Sequence, residues 1–261
     1  MATDPSPAIR IYRRASARFG PLREALARAD FHPVIPPDAL AEWECSDDAG
    51  TRVRCAGTVV LVEAGGEDSA AAFDARFRMA FPSERDVPDG GAAPMRVASI
   101  AGSDESGKGD RSQRLAVAAV LVPCAREAEA LARGVRDSKT CSAPEIAELA
   151  RWIRREFVHE VVVVEPAARE GALRSHGGNE SRLLTAMHAE CLTALLVREE
   201  FAIARVDRFA PGRPVAEEVR RRWPEVLVDE CARGERHVAV AAASVVARSL
   251  ARVSLGAKHV P

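Results

Sequence analysis

The chain has 261 residues, 47% of them hydrophobic and 29% charged, which suffices for one large domain or two ordinary ones with a substantial core. Its 37 basic and 38 acidic residues nearly cancel, so no bulk positive field marks it for polyanions, and any nucleic-acid contact must come from a local arrangement. No run of about 18 apolar residues occurs and the N-terminus lacks the apolar segment of a secretory signal; the expectation is a cytoplasmic protein without membrane contact.

Along the chain, "PLREALARADF" reads as a helix, "TRVRCAGTVVLVEAGG" has strand-like alternation, and "SAAAFDARFRMAF" reads as a second helix. Together they predict a small α+β domain over 1–81. Residues 82–95, "PSERDVPDGGAAPM", carry three prolines and two glycines without periodicity, the composition of a linker. A second domain, 96–261, opens with "MRVASIAGSD" and "RLAVAAVLVP", strands too closely spaced for a crossover helix and so antiparallel neighbours. A helix at about 125–134 follows. "SAPEIAELARWIRREF" is then a helix with a capping box at Ser142 and Glu145, leading into the buried strand "VHEVVVVEP". The long helix "NESRLLTAMHAECLTALLVREEF", the strand "FAIARVDRFAP", the strand "EVLVDE" and the helix "HVAVAAASVVARSLAR" complete an α/β pattern with a mixed sheet.

Six cysteines lie scattered without C-x-x-C pairing, which predicts reduced, buried thiols and neither a zinc site nor a disulfide framework. Only three of the basic residues are lysines, and two of them, Lys108 and Lys139, fall in the short stretches "SGKGD" and "RDSKT", where a compact ammonium is favoured over a planar guanidinium.

Asp104 and Glu105 are delivered by an apolar strand into a glycine-rich turn, and consecutive acids can serve one site only where the strand ends. Asp207 also ends a strand, and open α/β sheets place ligands beyond strand carboxyl ends, so Asp104 and Asp207 are expected to converge, with Glu235 or Asp229 completing the set. Three or four carboxylates in one place call for divalent cations, Mg²⁺ or Mn²⁺ by the hardness of the ligands, and a pair of such ions suits phosphodiester cleavage. A capped, solvated turn accounts for Asp104 and Glu105 equally well on physics alone. The same letters match seven positions of a phosphate-binding loop, but Gly109 stands where a hydroxyl is needed and the chain continues as strand, so no nucleotide cofactor is expected.

The blocks "GSDESGKGD", "LAVAAVLV", "VRDSKTCSAPEI", "NESRLLTAMHAECLTALL", "ARVDRFA" and "AVAAASVVAR", in this order over roughly residues 96–252, resemble the type 2 ribonuclease H family, and the GKG form points to its ribonuclease HIII branch. The resemblance implies a ribonuclease H-like mixed sheet flanked by helices and preceded by a small TBP-like substrate-binding domain. It also implies an endoribonuclease that cuts the RNA strand of an RNA/DNA hybrid with Mg²⁺ or Mn²⁺ held by four carboxylates. Asp104, Glu105 and Asp207 match the first three acids; Glu235 is the choice for the fourth, displaced by about one position, with Asp229 and Glu230 as fallbacks. The backbone of Gly107, Lys108 and Gly109 corresponds to the family's reader of the ribose 2′-hydroxyl. Ser138 and Lys139 are expected at the substrate, the lysine beside its phosphate backbone. His188 is expected to be a packed, hydrogen-bonded residue without chemistry, and Leu183, Leu184, Met187, Cys191 and Leu195 to be core. Arg10, Arg13, Arg14 and Arg18 form either a hybrid-binding patch or an ordinary solvated face. The sequence departs from the family at Arg111 to Arg114, where an aromatic, glycine and proline are usual, and it closes at Pro261, where the family continues in helix. These departures admit a relative that binds hybrids without cutting them. A monomer is the expected state.

Overall fold

A computed structural model describes residues 8–13, 20–34, 43–56, 59–80 and 95–252. The chain divides into two compact units, Met1–Ala98 and Ser99–Pro261. Arg14, Arg18, the expected linker apart from Met95, and the last nine residues lie outside the described residues.

The first unit is a six-stranded antiparallel sheet with two helices. Its strands are β1 (Ala8–Arg13), β2 (His32–Val34), β3 (Trp43–Ser46), β4 (Arg52–Ala56), β5 (Val59–Ala64) and β6 (Met95–Arg96), in the spatial order β2-β3-β4-β5-β1-β6. Helix α1 (Gly20–Ala27) sends Leu22 and Leu26, and helix α2 (Glu67–Ala80) sends Phe73 and Phe77, into a core shared with Tyr12, Val53, Val60 and Val62. Arg10, expected on a surface patch, is instead 2% exposed and ion-paired to Glu67 of α2. A charge among the buried residues 8–12 of this strand needs such a partner.

The second unit is built on a mixed five-stranded sheet in the order β11-β10-β7-β8-β9, comprising β7 (Ser99–Ser106), β8 (Leu115–Pro123), β9 (Val158–Val164), β10 (Ile203–Asp207) and β11 (Leu227–Cys231). β7, β8 and β9 are antiparallel neighbours, whereas β10 runs parallel to both β7 and β11. β9 was expected to be fully buried, yet it is an edge strand whose residues are mostly half-buried. Its valine run reflects packing on one face.

Helix α8 (Val238–Ala251) covers one face of β7 and β8 and is backed by α4 (Ala143–Glu156), whose capping box at Ser142 and Glu145 forms as the sequence predicts. Gly102 is the reason α8 comes so close: a Cβ there would lie 2.0 Å from the Ala239 carbonyl carbon. The other face is covered by α6 (Glu180–Arg198) and α7 (Pro214–Arg220), with Leu183, Leu184, Met187, Cys191 and Leu195 in the core as expected. Helices α3 (Glu127–Ala132) and α5 (Arg169–Ser175) are short. All six cysteines are buried free thiols; burial pushes those of Cys45 and Cys191 up to about 12. Among the described residues no helix is long and apolar enough to cross a membrane.

Candidate active site

The two consecutive acids lie inside β7 rather than beyond its end, which corrects the sequence expectation. Asp104 pairs with Ala118, Glu105 with Val117, and the ladder continues to Ser106 opposite Ala116. The pleat therefore sends the two carboxylates to opposite faces. Asp104 turns toward α8, where it is hydrogen-bonded by the Ser244 hydroxyl, and its Oδ1 accepts the Glu105 N–H at 2.8 Å. Glu105 turns toward α6: its Oε2 lies 3.4 Å from His188 Nε2, and its Oε1 lies 3.8 Å from Lys108 Nζ.

Asp207 closes β10, the parallel neighbour of β7. Its Oδ1 accepts the Gly234 N–H at 2.8 Å, and a Cβ at Gly234 would sit 3.0 Å from the Asp207 Cα. Close approach thus favours glycine here. The chain enters this turn through Arg233 in the left-handed region, φ 56°, and the single 3-10 turn Gly234–Arg236 carries the half-buried Glu235.

Electrostatics tie the four acids together. Burial first, then the charges of Glu105 and Asp207, push the Asp104 carboxyl up to about 8 against the relief given by Ser244. Asp207 is also raised, by burial foremost and then by Glu105 and Glu235, while its bond to Gly234 and the charge of Lys139 oppose the shift. Glu235, the choice for the fourth acid, raises Asp207 by its charge. Glu230 is instead committed to α7, accepting the Ala216 N–H at 2.9 Å, and burial raises its carboxyl; Asp229 is 1% exposed within β11.

Among the described residues no three His, Cys, Asp or Glu side chains stand close enough to enclose an ion as they are. The donor chemistry nevertheless fits a hard divalent cation: the ligands are carboxylate oxygens under mutual repulsion, and Glu105 Oε2 is buried without a hydrogen-bond partner among the described residues. A cation among them satisfies that oxygen and removes the repulsion.

Beside the acids, the glycine turn is held in place. Gly107 has φ +89°, and a Cβ on it would meet the Arg114 carbonyl oxygen at 2.0 Å; Gly109 has φ +77° in open space. Lys108 folds back over the Phe209 ring, 5.5 Å from its centroid, and donates to the Phe209 carbonyl at 3.0 Å. The unusual segment after the turn is ordered by Asp110, whose carboxylate accepts the Ser112 N–H at 2.9 Å, the Ser112 hydroxyl at 2.6 Å and the Gln113 amide at 2.7 Å. A local side-chain turn replaces the proline geometry usual at this point.

Ser138 and Lys139 part company. Lys139 is exposed, but Ser138, expected at the substrate, is 2% exposed, and its Oγ lies 2.8 Å from that of Ser244. Since Ser244 gives its proton to Asp104, Ser138 donates to Ser244, and it supports an acid from behind. His188 is fully buried, stacked on Phe209 at 5.0 Å with its Nδ1 2.7 Å from Ser103 Oγ, as a packed histidine should be. Its approach to Glu105 was not foreseen; neither were Ser244, Arg169 and Glu180, whose partners lie far away in sequence.

A sequence model of the family described as Ribonuclease HII matches residues 101–257. The ribonuclease HIII of Protochlamydia amoebophila is 33% identical over 147 residues, an alignment that takes in 56% of this chain and 48% of that protein. The ribonuclease HIII of Chlamydia muridarum is 30% identical over 236 residues, 88% of this chain and 75% of its own length. In fold, the chain is similar to the crystal structure of Bst-RNase HIII in complex with Mn²⁺, with a TM-score of 0.53 at 20% identity over 92% of this chain and 80% of that one. Because the family match spans the acids, the glycine turn and α8 together, and the chlamydial alignment extends through most of both units, the chain belongs to the type 2 ribonuclease H family, on its ribonuclease HIII branch.

Proposed function

We propose that the chain is a ribonuclease H that cuts the RNA strand of RNA/DNA hybrids internally, with Mg²⁺ or Mn²⁺ held by Asp104, Glu105, Asp207 and Glu235. The observation that carries this reading is the Asp104 carboxyl, buried and pushed up to about 8 beside two further acids. Such an arrangement costs stability unless a cation shares the site. When bound, divalent cations supply charge neutralisation at the phosphodiester and an activated water.

The chain's own residues do the rest. Ser138 and Ser244 fix the Asp104 carboxylate from the α8 side, and the Gly234 amide fixes Asp207. Lys139, exposed near Asp207, offers a point charge to a phosphate of the substrate backbone. Of the Gly107, Lys108 and Gly109 backbone, the outer end is open to a ribose 2′-hydroxyl, since nothing lies within 4 Å of a would-be Cβ on Gly109, whereas the Arg114 carbonyl closes that side of Gly107. Lys108 itself is partly spent on the Phe209 carbonyl and on Glu105, so its backbone rather than its ammonium faces the substrate in this reading.

The test is cleavage of an end-labelled RNA/DNA hybrid in Mg²⁺ or Mn²⁺ by the intact protein and by Asp104→Asn. Internal RNA products from the first and none from the second support the reading. Hybrid binding by both without products from either identifies a binding protein and overturns it.

A further inference from the structure

Arg169, the first residue of α5, is a buried guanidinium, 2% exposed. It spends Nη2 on two acceptors, the Gly107 carbonyl at 3.0 Å and Glu180 Oε1 at 2.6 Å, while Nε and Nη1 have no hydrogen-bond partner among the described residues. Glu180, the first residue of α6, is partly exposed; the same Oε1 lies 3.5 Å from the Gly109 N–H. Burial raises the Glu180 carboxyl, but Arg169, the Gly109 amide and Lys108 outweigh it and hold it below the ordinary range. One carboxylate and one guanidinium thus grip both ends of the Gly107–Gly109 turn.

Stability alone does not account for this pair. Buried ion pairs are commonly matched or exceeded by apolar residues of similar volume, and a guanidinium with two nitrogens unpartnered among the described residues is further from balance still. What the pair does provide is position. Gly107 is fixed sterically against the Arg114 carbonyl, whereas Gly109 has nothing within 4 Å of its would-be Cβ. The inner end of the turn is therefore held by packing, by the Asp110 N–H at 3.4 Å and by Arg169, while at the outer end the Glu180 carboxylate faces the Gly109 amide.

We propose that Arg169 and Glu180 are positioning residues that set the geometry of the Gly107–Gly109 turn and thereby its discrimination of ribose from deoxyribose. The proposal rests on the hybrid-cleaving reading above. Reading one hydroxyl by backbone groups demands placement within about 0.5 Å, and a site built to hydrogen-bond a hydroxyl loses selectivity when that placement loosens. Phosphate contacts, which are long-range, tolerate the loosening.

The experiment measures binding, without divalent metal, of an RNA/DNA hybrid and a DNA duplex of the same sequence to the full chain, to Glu180→Ala and to Arg169→Met; Mn²⁺ affinity is measured by calorimetry on each. The wild type is expected to prefer the hybrid, and both variants to lose about tenfold of that preference with Mn²⁺ affinity unchanged. Arg169→Lys should keep more of the preference than Arg169→Met, because both acceptors are served by one nitrogen and an ammonium is also a multiple donor. Retention of the preference within about twofold overturns the proposal, as does a parallel fall in Mn²⁺ affinity, which would make the pair general support for the acids. A wild type that cuts and prefers hybrids while the variants keep their preference defeats this inference alone; a wild type that does neither defeats the hybrid reading and this inference with it. If Arg169→Met does not fold, Glu180→Ala decides, since Glu180 lies partly in solvent.

Discussion

His188 Nε2 lies 3.4 Å from Glu105 Oε2, at the end of a line that runs back through Ser103 to the carbonyl of Ala118. Ser103 donates to that carbonyl at 3.0 Å and so accepts from His188 Nδ1, which leaves Nε2 toward the acid, able to donate to Glu105 only when the ring carries both protons. Stacking on Phe209 prevents the ring from turning away. Groups behind a metal-binding carboxylate typically matter by about tenfold or more in affinity or rate. His188→Phe, which keeps the stack and loses both nitrogens, should lower Mn²⁺ affinity and hybrid cleavage by about tenfold while the far-ultraviolet spectrum is unchanged. Calorimetric titration with Mn²⁺ checks this; an unaltered affinity would reduce His188 to core packing.

Asp104 makes a prediction about pH. Its folded-state carboxyl stands at about 8 against an ordinary 3.8, with burial the main cause. Below about pH 4 the group is protonated folded or unfolded, and its contribution is intact. As pH climbs toward 8 the unfolded chain gives up the proton that the folded chain keeps, so stability falls across that window. Asp104→Asn removes the penalty. In EDTA at pH 8 the variant should melt about 3 °C or more above the wild type, and near pH 4 the two should coincide. Added Mn²⁺ should reverse the order by stabilising the wild type alone. Equal melting at pH 8 would mean that Asp104 is well solvated.

Much of this was legible in the chain because it is written locally. The capping box at Ser142 and Glu145, the apolar stripe from Leu183 to Leu195, and the paired runs that became β7 and β8 each need only a few neighbouring residues to be recognised. Asp104, Glu105 and Asp207 were singled out by their places near strand ends. What escaped was everything decided across the fold. β7 continues through both acids because β8 supplies ladder partners as far as Ala116, a fact about pairing that the glycines downstream concealed. Ser138 is buried because α8 lies over it, and only the register of that helix puts Ser244 at its hydroxyl. Arg169 is one arginine in a chain that strongly prefers them, and nothing in its neighbours announces that it bonds the Gly107 carbonyl 62 residues away. Helix α7 was missed although Pro214 stands at its first turn, since its seven residues hold too few turns to show a period.

Gly102 is a test of the architecture. Its hydrogen faces the backbone of Ala239 and Val240, with a would-be Cβ 2.0 Å from one carbon and 2.2 Å from the next nitrogen. Backbone atoms cannot swing aside as a side chain can. Gly102→Ala must lift α8 from β7, and overpacking of this kind costs about 2–3 kcal/mol. A urea titration should show the loss as a lower midpoint at unchanged slope. Because Ser244 rides on the same helix, Mn²⁺ affinity should fall as well, through displacement of the hydroxyl that Asp104 accepts from.

Ser138 and Lys139 are adjacent, yet the structure gives them opposite kinds of consequence. Ser138→Ala leaves the buried Ser244 hydroxyl without its donor, a loss of about 1 kcal/mol in stability, with hybrid binding changed little and its salt dependence not at all. Lys139→Ala removes an exposed charge and no buried contact, so its melting temperature should stay at the wild-type value. Its hybrid affinity should fall at every salt concentration, and the slope of log affinity against log salt should shrink by about one, the signature of a single phosphate contact. Loss of the ammonium also leaves the Gly234 amide to oppose Glu105 and Glu235 at Asp207 without the lysine's help, so Mn²⁺ affinity in Lys139→Ala should rise slightly as a competing positive charge is removed. Anisotropy titrations of both variants from low to moderate salt separate these outcomes, and an unchanged slope in Lys139→Ala would remove this lysine from the hybrid interface.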